Sequence, residues 1–180
     1  MNMKGWIVKN ITHRKIRDLH RIQIRIINEK NPYNVLDIAP PVTIDLGNYV
    51  SCKYTSLGLH GKRVDIKHDL NEYPYPAKDK SYDMVIMSNI LEHLYKPILA
   101  ISEGARIARK WLIIGLPTNC KIEPSRFGPG YGHKYRYRTY FTYDGRFAKF
   151  FTRGVRDFLS SCFEKKNIIV VVDMNRKGMS

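Results

Sequence analysis

The chain has 180 residues, 43% hydrophobic and 26% charged, which fits one domain able to bury a real core. No run of about 18 apolar residues occurs, so no membrane-spanning helix is expected. Thirty-one Lys and Arg stand against 16 Asp and Glu, a net charge of +15. The excess is uneven: eight basic against two acidic residues in 1–31, ten against nine in 32–120, nine against two in 121–156, and four against three in 157–180. Two basic blocks around a near-neutral centre favour an anionic partner over an evenly solvated surface.

Taken in order, the chain opens on MNMKGWIVKN, which lacks an apolar h-region, so no secretory signal is expected. Cys52, Cys120 and Cys162 are isolated, with no CxxC pair and no zinc-ligand spacing. They read as small buried thiols in a reducing cytoplasm, and no metal site is predicted. Residues 12–29 place Ile16, Leu19, Ile22, Ile26 and Ile27 on one helical face, and Pro32 ends the pattern. This divides the chain into a basic helical arm, 1–31, and an α/β domain, 32–180. Apolar runs at 34–38, 82–88, 111–117 and 167–174 read as strands, with 53–59 and 62–70 as further strand candidates. Helices are expected at 96–109 and 153–163. Between them, 118–152 is rich in Gly, Tyr and Arg and reads as a long excursion.

Continuous apolar strands alternating with helices imply a parallel sheet covered on both faces. Such sheets bind ligands outside the carboxyl ends of their strands. In YDMVIMSNILEHL (82–94) the apolar run stops at Ser88, so Asn89, Glu92 and His93 fall in that region. Glu92 either meets a ligand or begins a helix at its positive end, with His93 facing solvent. In RFGPGYGHKYRYRTYFTYDGRFAKFF (126–151), Arg126, Lys134, Arg136 and Arg138 interleave with Tyr135 and Tyr137. Cations bind phosphates and flat rings stack on bases, which suits single-stranded or flipped nucleic acid. The alternative is an exposed hairpin whose tyrosines pack on the sheet. No GxxxxGK[ST] phosphate loop is present.

The stretch DLNEYPYPAKDKSYDMVIMSNILEHLYKPILAISEGARIARKWLIIGLP (69–117) resembles the central part of class I S-adenosylmethionine-dependent methyltransferases. Asp69, Tyr73-Pro74-Tyr75, Ser81-Tyr82-Asp83, Leu91-Glu92-His93, Pro97, Glu103 and Arg106 fall in that family's register. The close match covers about 50 residues and extends with gaps over 34–172. The resemblance implies a single-domain Rossmann-like α/β fold with a mostly parallel seven-stranded sheet, helices on both faces and a reversed final hairpin. It implies S-adenosylmethionine as cofactor. Asp37 would lie beside its methionine end, Asp69 and Leu70 against the adenine, and Asn89 in the methionine-side pocket, with Glu92 nearby. For Asp37 and Asp69 a capping role is the alternative.

Two departures are visible. The family's glycine-rich first loop is replaced by Asp37-Ile38-Ala39-Pro40-Pro41, where the prolines offer no N–H. Gly58 occupies the position of the acid that normally accepts the ribose hydroxyls. A second register, with Asp45 and Gly47 of VTIDLG (42–47) ending the first strand, fits the chain lengths less well. In the preferred register 43–51 is the intervening helix.

Methyl transfer needs alignment and water exclusion, with a general base only for a protonated or weak nucleophile. His133 and His93 are the candidate bases, each with a solvated surface histidine as the plain alternative. No (N/D)PP(Y/F/W) follows 82–88 and no Pro-Cys occurs, which leaves an oxygen or ring nitrogen as acceptor. Three functions are compatible: a methyltransferase acting on an anionic substrate such as nucleic acid, a catalytically inactive nucleic-acid-binding module of the same fold, and a small-molecule or sugar methyltransferase.

Overall fold

The computed structural model describes residues 16–117 and 167–173. Helix α1 spans Ile16–Lys30 and is followed by strands β1 (Asn34–Ile38) and β2 (Lys53–Gly58), joined through a 3-10 turn at Leu46–Tyr49. Strand β3 is short, Ile66–Lys67. Strand β4 (Tyr82–Ser88), a 3-10 turn at Leu91–His93, helix α2 (Pro97–Ile107), β5 (Ala108–Pro117) and β6 (Asn167–Asp173) complete the order.

The strands form one sheet in the order β3-β2-β1-β4-β5-β6. The first five run parallel, and β6 pairs antiparallel with β5 from Trp111↔Asp173 to Pro117↔Asn167. Among the described residues the sheet therefore has six strands rather than the expected seven, with the last one reversed as expected. The register Ile38↔Met87 sets β1 and β4 side by side at the centre.

Side chains alternate between two layers, as the pleat requires. Leu36, Ile38, Val85, Met87, Leu112 and Ile114 face α2, whose Ala100, Ile101 and Ala105 are buried against them. Val35, Met84, Ile86 and Ile113 face the other layer, where Leu19, Ile26 and Ile27 of α1 close the core. The basic α1 is thus bound to the sheet through one apolar stripe, with Gln23 also buried at 1% exposure.

Two predicted elements differ. Residues 43–51 hold a single 3-10 turn instead of a helix. Asp45 caps it by accepting from the Gly47 N–H at 2.9 Å, and Gly47 and Asn48 are poor helix formers. The strand expected over 62–70 shrinks to two residues. There Asp65 replaces ladder pairing with its side chain, accepting from the Ser56 N–H and hydroxyl, both at 2.9 Å. The Asp45 register is ruled out, because 34–38 forms the strand paired with β2 and β4.

Candidate functional site

The strand order reverses between β1 and β4: from β1 the chain moves outward to β2 and β3, then returns to start β4 on β1's other side. A crevice opens beyond the carboxyl ends at such a switch point. Among the described residues four non-glycine positions have positive φ, and two of them flank it: Ala39 (φ 63) directly after β1 and Asn89 (φ 51) directly after β4. Left-handed backbone costs an L-residue about 1–2 kcal/mol, so both strands end in a turn the surroundings enforce. Ala39 thereby takes the conformation that glycine supplies in a glycine-rich loop.

The loop after β1 folds toward β2. The Ala39 N–H donates to the Leu57 carbonyl at 2.8 Å, and the Lys62 N–H to the Pro41 carbonyl at 2.8 Å. Gly58 faces this loop. A Cβ built there would lie 3.5 Å from Pro40 Cδ, ordinary contact, so the position is open to a side chain. On the other side, the Asn89 N–H donates to the Gly115 carbonyl at 3.1 Å. Beneath it the Ser88 hydroxyl is buried with no hydrogen-bond partner among the described residues. A Cβ on Gly115 would sit 2.5 Å from that oxygen, so glycine at 115 keeps its place. Ser88 was not singled out from the sequence; the glycine inside WLIIGLP is the signal that marks it.

Asp37 is the penultimate residue of β1, but its carboxylate points into the α1 layer, not into the crevice. It is 1% exposed and accepts a 2.6 Å hydrogen bond from the Tyr54 hydroxyl. Burial raises its pKa to about 7, against the opposing effect of that bond. The placement expected beside a ligand is corrected on this point, because side chains alternate and residue 37 shares the face of Val35.

Asp69 makes a side-chain turn, its Oδ1 accepting from the Asn71 N–H at 2.9 Å and from the Asn71 amide at 3.2 Å. This is the capping alternative, realised with one carboxylate oxygen. Leu70 is 7% exposed and belongs to the core, so its side chain is spent on packing. Glu92 lies in the 3-10 turn and not at the start of α2, which begins at Pro97 with no acid in its first turn. His93 ends that turn half-buried, its N–H donating to Ile90 at 2.9 Å. His133, Arg126, Lys134, Tyr135, Arg136, Tyr137 and Arg138 lie outside the described residues.

Glu103 and Arg106 have a structural task. Glu103 accepts from the Tyr75 N–H at 2.8 Å and from Arg106 at 2.7 Å. Arg106 also donates to the Ala77 and Tyr75 carbonyls and to Asp79. Together they clamp the 75–79 loop onto α2. The arginine's hydrogen bonds hold the Glu103 carboxyl below its usual range. Tyr75 stacks on Tyr73 at 5.3 Å and donates to the Leu70 carbonyl at 3.0 Å, which steadies the crevice wall at 69–70.

Solved structures share this architecture. A methyltransferase from Archaeoglobus fulgidus, described as S-adenosylmethionine-dependent, matches with a TM-score of 0.57 at 15% identity, over 89% of this chain and 95% of that one. The YcgJ protein of Bacillus subtilis matches with a TM-score of 0.53 at 11% identity, over 91% and 100%. The N-terminal domain of EvdMO1, solved in the presence of S-adenosylhomocysteine and D-fucose, matches with a TM-score of 0.51 at 12% identity, over 93% and 91%. The fold is that of the methyltransferases.

No protein-family model matches the chain, and no curated protein matches it in sequence. The crevice described above lies beyond the carboxyl ends of the strands, the edge at which open parallel sheets generally bind ligands. Among the described residues, no group of three or more His, Cys, Asp or Glu side chains is placed to hold a metal ion. No described helix is long and apolar enough to cross a membrane.

Proposed function

We propose that the chain is an S-adenosylmethionine-dependent methyltransferase acting on an anionic substrate, nucleic acid. The observation that carries the reading is the pair of left-handed residues, Ala39 and Asn89, ending adjacent strands at the switch point. The crevice fits the cofactor in three respects. Gly58 leaves room beside Pro40, Asn89 ends β4 in a left-handed turn, and only one oxygen of Asp69 is committed to Asn71. Asn89 would hold the methionine end and Asp69 the adenine end. The cofactor supplies a sulfonium-bound methyl group. The protein's own part is to align the acceptor with it and exclude water. The charge of +15 favours a polyanionic acceptor.

A second reading, a non-catalytic nucleic-acid-binding module, is favoured by the loop after β1. There the Ala39 N–H is spent on Leu57, two prolines follow, and no acid stands at Gly58. Calorimetric titration of stripped protein with S-adenosylhomocysteine separates the two. Micromolar binding, weakened about tenfold by Asn89→Gly, which keeps the left-handed backbone but removes the amide, supports the enzyme. No binding up to millimolar ligand by folded protein leaves the module.

A further inference from the structure

At the opposite edge of the sheet, where the strands begin, one buried carboxylate gathers several chain segments. Asp83, at the start of β4, has no exposed side-chain surface. Its Oδ2 accepts from the Tyr33 N–H at 3.0 Å and from the Lys110 ammonium at 2.9 Å, while Oδ1 accepts from both Nε and an Nη of Arg109. One acid thus anchors two cations, and the trio keeps a charge of +1. Both cations remain partly exposed, Arg109 at 49% and Lys110 at 40%. Their long side chains are already ordered, so an incoming anion need not order them.

The same anchor positions a ring. Tyr33, held by its N–H to Asp83 and by its carbonyl to the Lys53 N–H at 3.1 Å, is 74% exposed. Lys53 is exposed, and its ammonium has no ionic partner among the described residues. Asn31, Tyr33, Ser51, Cys52, Lys53 and Lys110 wall a cavity of about 460 Å3 between these groups. Lys30 joins from the end of α1, 5.9 Å from the Trp111 ring centroid, with Lys110 5.7 Å from the same ring.

Fixed cations beside an exposed aromatic ring match the chemistry of a single strand, in which phosphates alternate with flat bases. We infer that this amino-terminal edge is a docking surface for single-stranded nucleic acid, with Tyr33 stacking a base and Lys53, Arg109 and Lys110 taking flanking phosphates. It lies at the opposite edge of the sheet from the crevice, and it rests on the nucleic-acid reading proposed above.

The test uses the full chain and a fluorescein-labelled oligouridylate of about 15 nucleotides, by anisotropy over a range of salt. Tyr33→Ala is expected to weaken binding about fivefold or more, with Tyr33→Phe retaining it. Lys53→Gln is expected to weaken binding and to lower the slope of log K against log salt by about 0.7. Tyr49→Ala and Lys67→Gln, which remove an exposed ring and an exposed charge elsewhere, are expected to stay within about twofold of the parent, on the ground that scattered contacts contribute little. Parent binding that survives Tyr33→Ala and Lys53→Gln, or that falls equally in the two controls, overturns the docking surface and leaves the nucleic-acid reading standing. A parent that binds no oligonucleotide overturns both, and the S-adenosylhomocysteine titration then decides on the enzyme alone.

Discussion

Asp37 shows how one residue can link stability to pH. Its folded pKa is about 7 against an ordinary 3.8, because burial disfavours the charged form more than Tyr54 favours it. Between about pH 4 and 7 the folded state holds a proton that the unfolded state releases. Stability is therefore fully present below the lower value and declines as pH rises through the window. Replacing the acid with its neutral isostere, Asp37→Asn, should flatten that decline. Denaturation at pH 8 is expected to show the variant more stable by roughly 4 kcal/mol, with the difference vanishing near pH 4. Parallel pH profiles would mean that Asp37 is already ionised in the fold.

Gly58 permits the opposite experiment, a gain. Its backbone needs no positive φ, and an added Cβ meets nothing closer than 3.5 Å. An acid here would stand where ribose hydroxyls are expected. Gly58→Asp should tighten S-adenosylhomocysteine binding by about tenfold, since a hydrogen bond to a charged group contributes roughly 1.5–3 kcal/mol. Unchanged affinity would put the ribose elsewhere.

At the scale of elements, the link between α2 and the 75–79 loop is concentrated in Arg106. It donates to two backbone carbonyls and two carboxylates. Arg106→Ala would leave the 8%-exposed Glu103 without its cation. A loss of about 2–3 kcal/mol in urea denaturation is expected, below the full cost of breaking a buried pair because Arg106 is a quarter exposed. Arg106→Lys should recover little, since an ammonium cannot reproduce the planar fork.

The elements differed in how far the sequence disclosed them. NVLDI, YDMVIMS and NIIVVVD are mainly apolar runs and KYTSLG is rich in strand-forming residues, and the strands found there begin and end within a residue of the expected limits. The central strands β1 and β4 are buried on both faces, which leaves such a pattern no other home. The 43–51 and 62–70 segments were misread because Asp45 and Asp65 bond to nearby backbone and so compete with regular structure. At the site, the switch point and Asn89 could be read from where an apolar run stopped. The inward turn of Asp37 and the packing of Leu70 could not, since both follow from the pleat and the layer above it. Asp83 belonged to the motif, but its Arg109 and Lys110 partners arrive only through the pairing of β4 with β5.

Over the whole molecule, a charge of +15 in 180 residues opposes compaction through self-repulsion. Raising salt from about 20 to 200 mM shortens the screening length from roughly 20 to 7 Å and should raise the Tm by a few degrees, read by thermal denaturation. A falling Tm would show that local pairs such as Asp83 with Arg109 and Lys110 outweigh the global repulsion.

The seven residues of β4 run from Asp83's neighbourhood at one edge to Ser88 at the other. At about 3.3 Å per residue that is on the order of 20 Å of rigid sheet. On the proposed reading, a nucleic-acid strand held at Tyr33 while its reactive nucleotide enters the crevice would have to travel around that thickness. Oligomers too short to make the journey would occupy one end or the other but never both. The length of a single β-strand would then act as a ruler, setting the shortest substrate the protein can modify efficiently.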